Sequence, residues 1–180
     1  MLIGLTGRAG SGKDTAAAYL AQAHRFKPLA FATPIRQMLQ VGLGLTELDF
    51  APANKNEVIE RLQRSPRQLM QTLGTEWGRT HVHSSLWVSL AAGELDRMES
   101  LDVVFTDVRF EDEAAMIRDR GGFIVRLVRS VALPVHQHVS EAGLQLRESD
   151  REIHNNGTLF QLYDKLDALV SEDQFLGAVL

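Results

Sequence analysis

The sequence predicts an α/β protein: a parallel sheet with helices on both faces. Three observations predict it. Short apolar runs alternate with helix-patterned segments along the 180 residues. The first run, Leu2–Thr6, is apolar, as in a strand buried in a parallel sheet. It is followed at once by the glycine-rich stretch GLTGRAGSGKDT, which leads into an alanine-rich helix.

The elements follow in order. Thr15–His24, TAAAYLAQAH, carries alanine and leucine at helical spacing. Arg25–Thr33 contains the apolar stretch LAFAT, a second strand, and Pro34 opens a helix through IRQMLQVGL. Leu45–Asn56 is polar and broken by Pro52 and asparagines, which predicts an exposed, mobile loop. Ser65 caps a helix with Pro66 at its first position, and Gly74 is its expected end. A longer helix is expected over Ser84–Glu99. Leu101–Val108, LDVVFTDV, is the clearest strand. Glu111–Arg120 is helical and stopped by Gly121-Gly122, and Phe123–Val128 is again a strand. Pro134–Ser149 is a polar insertion, Ile153 centres a last strand, and Leu159–Val170 forms an amphipathic helix. No internal repeat or low-complexity tract interrupts this order.

Composition narrows the function. Nineteen Lys and Arg against 23 Asp and Glu leave a net charge of -4, which argues against a protein that coats nucleic acid. There is no cysteine, so no disulfide framework, thiolate metal site or cysteine nucleophile. The N-terminal stretch lacks the form of a signal peptide, and no apolar run has the length of a membrane span. The expectation is a cytoplasmic protein with neither nucleic acid nor membrane as partner.

Gly7–Lys13, GRAGSGK, fits the first seven positions of the phosphate-loop pattern G-x-x-x-x-G-K-[ST]. Gly7, Gly10 and Gly12 let the backbone turn its N–H groups toward phosphate oxygens, with Arg8, Ala9 and Ser11 between them. The next helix adds the positive end of its dipole, and Lys13 a mobile charge for the β- and γ-phosphates. Asp14 stands where Ser or Thr usually holds Mg2+, with Thr15 one place later. Asp14 either works in the outer shell of the metal or complements the helix terminus.

A GTPase would carry N-K-x-D and D-x-x-G, and neither appears in a suitable place. Arginines stand instead where a second phosphate would bind. Asp107 and Arg109 follow the strand LDVVF at the edge where parallel sheets bind ligands. Asp107 would orient metal-bound water or the acceptor, and Arg109 would grip a phosphate bidentately; the alternative is a structural pair capping the next helix. Arg67 and Gln71 share a helical face, and Arg36 and Arg79 lie on neighbouring segments. Trp77 and Trp87 are candidates for stacking on a base, with core packing as the alternative. After Arg126 and Arg129 comes a loop with His136, His138, Ser140 and Glu141. Without a third well-spaced ligand it makes a poor metal site, and a lid closing over phosphates fits better. Arg129, Arg147 or Arg151 would then meet the charge on the transferred group.

The segments GRAGSGKDT, FATPIRQML, RQLMQTLGTEWGR, LWV, DVRFEDEA, HVSEAGL and NNGTLFQL, in that order, resemble the deoxynucleoside monophosphate kinases of bacteriophages, within the adenylate-kinase-like P-loop kinases. The resemblance implies a five-stranded parallel sheet flanked by helices. It divides a single domain into a core (1–44, 100–130, 150–180), a helical acceptor-binding insertion over about 45–99 and a lid over about 130–150. It implies phosphoryl transfer from ATP, with Mg2+, to a deoxynucleoside monophosphate. Gly7–Thr15 would hold the ATP phosphates, with Asp14, Thr15 and Asp107 toward the metal. Lys13, Arg109, Arg129 and Asp107 would be catalytic. Arg36, Arg67, Gln71, Trp77, Arg79, Trp87, Asp107, Arg109 and Glu141 would face the acceptor. Asn155, Gly157 and Thr158 fall where that group places the ATP base, although a turn and helix cap would use the same residues. The lid lacks the dense arginines of adenylate kinases. The related kinases include dimers, so a homodimer is left open.

Two other readings remain: a P-loop kinase of another small acceptor such as dephospho-coenzyme A, and a regulatory module that binds nucleotide without turnover. A nucleic-acid motor fits less well, because the chain is short, acidic and without a second ATPase core.

Overall fold

The computed structural model describes residues 1–98, 101–130 and 144–177. Five strands form one sheet: β1 (Leu2–Thr6), β2 (Lys27–Leu29), β3 (Val103–Phe105), β4 (Phe123–Val128) and β5 (Arg151–His154). All neighbours pair in parallel, in the order β2-β3-β1-β4-β5. β1 is therefore central, with Gly4 opposite both Phe105 of β3 and Ile124 of β4. Because every strand points the same way, the residues after β1, β3, β4 and β5 all emerge at one edge.

The chain forms two compact units, Met1–Ala30 with Glu94–Leu180, and Phe31–Gly93. In the first, helix α1 (Lys13–His24) turns Ala16, Ala17 and Leu20 inward. They pack with Ile3 and Leu5 of β1, Val125 and Leu127 of β4, and Leu162, Leu166 and Val170 of α6 (Leu159–Gly177). Helix α5 (Glu111–Asp119) buries Ala114, Met116 and Ile117. Burying each Leu, Ile or Val stabilises the fold by about 1.5–3 kcal/mol.

The second unit holds α2 (Thr33–Leu43), α3 (Pro66–Gln71) and a π-helical stretch over Thr72–Val82, with α4 (Leu86–Asp96) following. Its core is Ile35, Leu39, Leu45, Phe50 and Trp87. Ser65 caps α3 as expected: its hydroxyl accepts the Gln68 amide, and Gln68 Oε1 accepts the Ser65 amide at 2.9 Å.

Several expectations are corrected. The second strand is Lys27–Leu29, which ends on the first residue of LAFAT, because those residues pair with Val103–Phe105. Leu45–Asn56 is not simply an exposed loop. It contains a 3-10 turn, Glu47–Phe50, and Leu45 and Phe50 are buried. Gly74 does not end its helix, since the chain continues as π-helix to Val82. α4 is shorter than Ser84–Glu99, and α6 runs beyond Val170 to Gly177. Among the described residues no helix is long and apolar enough to cross a membrane.

Candidate active site

Gly7–Lys13 follows central β1 directly, and α1 begins at Lys13. Gly7, Gly10 and Gly12 have φ values of 138°, 78° and 103°. Two of them are also required by space. A Cβ on Gly7 would lie 2.3 Å from the Leu127 carbonyl oxygen, and one on Gly12 would lie 2.4 Å from Asn155 Nδ2. Lys13 Nζ donates to the carbonyls of Gly7 at 2.6 Å and Arg8 at 2.9 Å, so the ammonium is folded over the loop. The Arg8 carbonyl also accepts the Ser11 amide at 3.1 Å. Asp14 is exposed and Thr15 half-buried in the first turn of α1. Ser11 is 1% exposed, and its Oγ has no hydrogen-bond partner among the described residues. A buried hydroxyl without a partner costs about 1–3 kcal/mol. A tight cradle of left-handed glycines, a tethered ammonium and an unpaired hydroxyl together fit a polyphosphate.

The second group of residues emerges beyond β3. Val108 is buried and its amide donates to the Leu5 carbonyl at 3.1 Å, which fastens this segment to β1. Asp107 on one side of it is half-buried and Arg109 on the other is exposed. Glu113, 4% exposed, accepts the amides of Arg109 at 2.8 Å and Phe110 at 3.1 Å. The sequence reading missed Glu113. Its signal was available: an acid at the third helical position reaches back to amides before the helix. Arg129 is exposed immediately after β4, at the same edge.

Asn155 follows β5 at that edge too. It is 9% exposed, and its Nδ2 donates to the Ser11 carbonyl at 3.0 Å. Asn156 Oδ1 accepts the Ser130 amide at 2.8 Å. Thr158 caps α6, its Oγ1 accepting the Gln161 amide and its own amide donating to Gln161 Oε1. A Cβ on Gly157 would meet that Gln161 side chain at 1.8 Å. The turn-and-cap role expected as an alternative for these residues is therefore present.

Arg147 and Arg151 lie before and at the start of β5, away from the edge that carries Asn155. Arg151 Nη1 is held by the carbonyls of Ser149 at 2.8 Å and Asp150 at 3.1 Å, which corrects its expected place over the phosphates. His136, His138, Ser140, Glu141 and most of the expected lid lie outside the described residues. Among the described residues no cluster of acids and histidines could hold a metal ion by itself.

The remaining candidates belong to the second unit. Arg36 is exposed on α2, its guanidinium 5.7 Å from the centre of the Phe50 ring. Arg67 and Gln71, both half-buried, stand four residues apart on α3. Arg79 lies in the π-helix, and its Nη1 donates to the Ser84 carbonyl at 3.1 Å. Trp77 is 41% exposed, whereas Trp87 is 3% exposed and donates from Nε1 to the Gly74 carbonyl at 2.6 Å. For Trp87 the core-packing reading holds and its candidacy for stacking on a base is corrected: its ring is core, packed against Gly78. Of the two tryptophans, Trp77 alone keeps a substantial open face.

The deoxynucleotide monophosphate kinase family matches residues 50–166. A protein of Acanthamoeba polyphaga mimivirus is 28% identical over 94% of this chain and 96% of its own length. The deoxynucleotide monophosphate kinase of Escherichia phage RB69 is 33% identical over 71% of this chain, which spans 54% of that relative's length. The fold is also that of shikimate kinase from Aquifex aeolicus, with a TM-score of 0.51 over 98% of this chain and 99% of that one, at 13% identity. A central phosphate loop with its lysine in place, on a parallel sheet shared with a known kinase, agrees with these matches: the chain is a P-loop kinase and belongs to the deoxynucleotide monophosphate kinase family.

Proposed function

We propose that this chain transfers the γ-phosphoryl group of ATP to a deoxynucleoside monophosphate, giving ADP and the deoxynucleoside diphosphate. The observation that carries the reading is the phosphate loop at the end of β1, with Lys13 tethered across it, in a chain of this family. An acceptor phosphate oxygen attacks the γ-phosphorus, and the bond to the bridging oxygen of ADP breaks in line. Both reactants are anions, so positioning and charge neutralisation supply most of the catalysis.

In this reading the amides of Gly7–Thr15 and the Lys13 ammonium hold the donor phosphates. Mg2+ bound with the nucleotide would supply further positive charge, held through Asp14, Thr15 and Asp107. Arg109 grips the acceptor phosphate. Arg36, Arg67, Gln71, Arg79 and the open face of Trp77 are the second unit's own candidates for acceptor binding. Arg129 meets the charge on the transferred group. The acceptor phosphate is already ionised at neutral pH, so no strong general base is needed. A cytoplasmic setting, where ATP is supplied, suits the reaction. The readings as a kinase of dephospho-coenzyme A or as a regulatory module are not favoured, because the family matched is named for a nucleotide acceptor.

The test is a coupled assay for ADP formation with MgATP and each common dNMP and NMP in turn. Turnover that depends on one or more dNMPs supports the proposal and reads out base preference. ATP binding without turnover on any nucleotide overturns it.

A further inference from the structure

We propose that Asn155 is a positioning residue for phosphoryl-donor binding, holding the phosphate loop in its working shape from 144 positions away. The inference rests on the reading of Gly7–Lys13 as the donor site and adds a residue that the phosphate-loop pattern does not contain.

The argument starts from the peptide between Ser11 and Gly12. A trans peptide is planar, with its C=O and N–H pointing in opposite directions. Asn155 Nδ2 donates to the Ser11 carbonyl at 3.0 Å in a buried position. That bond fixes the plane of this peptide and so aims the Gly12 N–H away from Asn155. Gly12 is the left-handed residue, at φ 103°, on which α1 is entered. A Cβ there would sit 2.4 Å from Asn155 Nδ2, so glycine and asparagine interlock. Asn155 is itself held, since its amide donates to the Val128 carbonyl at 2.7 Å. The residue is thus anchored to β4 through its backbone amide and to the loop through its carboxamide. Its neighbour Asn156 accepts the Ser130 amide at 2.8 Å, which ties the residue after Arg129 to the same turn. Without the Asn155 donor the buried Ser11 carbonyl loses its side-chain partner, and one of the bonds that fix the plane of this peptide is gone. A donor phosphate would then have to order the loop as it binds.

MgADP affinity, measured by calorimetric titration with no acceptor present, tests this. Asn155→Asp keeps the shape but sets a carboxylate against the Ser11 carbonyl. Asn155→Ala removes the group. Each should weaken MgADP by about ten-fold or more, the scale of one buried hydrogen bond lost with its carbonyl orphaned. KM for ATP should rise in step, with KM for the deoxynucleotide changed by less than about three-fold, since the acceptor is held by other groups. The Asn155→Asp variant adds a signature that a purely structural role would not produce. Its protonated carboxyl can donate again, so its MgADP affinity should approach the wild-type value as pH falls toward about 4–5. If Asn155→Ala does not fold, this pH profile of the isosteric variant decides alone. Wild-type MgADP affinity in a folded variant, or a lowered Tm with unchanged affinity, overturns the proposal. Failure of the acceptor reading looks different: wild-type protein that binds MgADP and turns over no deoxynucleotide.

Discussion

Arg118 of α5 and Asp150, just before β5, form a two-point ion pair closed off from water. Arg118 Nη2 meets Asp150 Oδ2 at 2.6 Å and Nε meets Oδ1 at 3.3 Å, with side-chain exposures of 5% and 0%. The same carboxylate accepts the amides of Ile124 at 2.9 Å and Arg147 at 2.7 Å. One group therefore joins α5, β4 and the turn into β5. Burial alone would raise the Asp150 pKa, but the Arg118 guanidinium and the amides of Arg147 and Ile124 outweigh it and hold the carboxyl below its usual range. A carboxyl depressed in the folded state contributes stability above the unfolded-chain pKa, about 4, and loses it as pH falls through the lower folded value. Asp150→Ala should cost about 3–5 kcal/mol at pH 7, because it orphans the Ile124 and Arg147 amides and leaves the buried Arg118 charge only the more exposed Glu111 carboxylate at 3.5 Å and the Gln145 carbonyl. Urea unfolding at a series of pH values checks both points. The wild-type stability should fall more steeply below pH ~4 than that of the variant.

Lys13→Ala should lower kcat/KM by about 10²–10³, the scale of removing one preorganised donor from a developing anion. Two backbone carbonyls are among its folded-state partners, and neither belongs to the buried core, so Tm should move little. Steady-state kinetics beside a thermal melt separate the two effects. Near-normal turnover would remove the phosphate loop from the chemistry.

Glu113→Ala leaves the Arg109 and Phe110 amides without the buried carboxylate that receives them. The expected cost is about 1–3 kcal/mol of stability. The acceptor KM should rise more than the ATP KM, because the disturbed segment carries Arg109. Glu113→Gln, which keeps an acceptor oxygen, should fall between the variant and the wild type in both measurements.

Two glycines give a contrast in the second unit and α4. Gly78→Ala would place a methyl group 2.4 Å from the Trp87 ring. It should destabilise by about 1–3 kcal/mol, as overpacking does in a filled core. Gly93 lies within α4 with nothing within 4 Å of a Cβ. Gly93→Ala should stabilise by about 0.5–1 kcal/mol through lower chain entropy. Denaturant midpoints of the two variants should move in opposite directions.

The phosphate loop, the strand after which Asp107 and Arg109 stand, and the Ser65 cap were all legible in the chain order. The loop and the cap depend on contacts among residues within a few positions of one another: Lys13 reaches back to Gly7, and Ser65 exchanges bonds with Gln68. The strand shows as a continuous apolar run, VVF, although its pairing is long-range. The π-helix was not legible. TLGTEWGRTHV has the composition of an ordinary helix with two glycines, and its register is held from outside, by Trp87 donating to Gly74 and packing on Gly78. The second strand was misplaced for a related reason. Lys27–Leu29 is a poor strand by composition, and pairing along Val103–Phe105 selects it.

By itself, then, the sequence determined the class of fold, the donor loop and the kind of chemistry, because glycine spacing, a lysine and an apolar strand act locally. Tertiary structure alone decided which distant groups support that loop and its neighbours. Asn155 and Ser11 are 144 positions apart, and Arg118 and Asp150 are 32 apart. No propensity or spacing encodes such partners; they are chosen when the strands take their order and the buried polar groups must find one another.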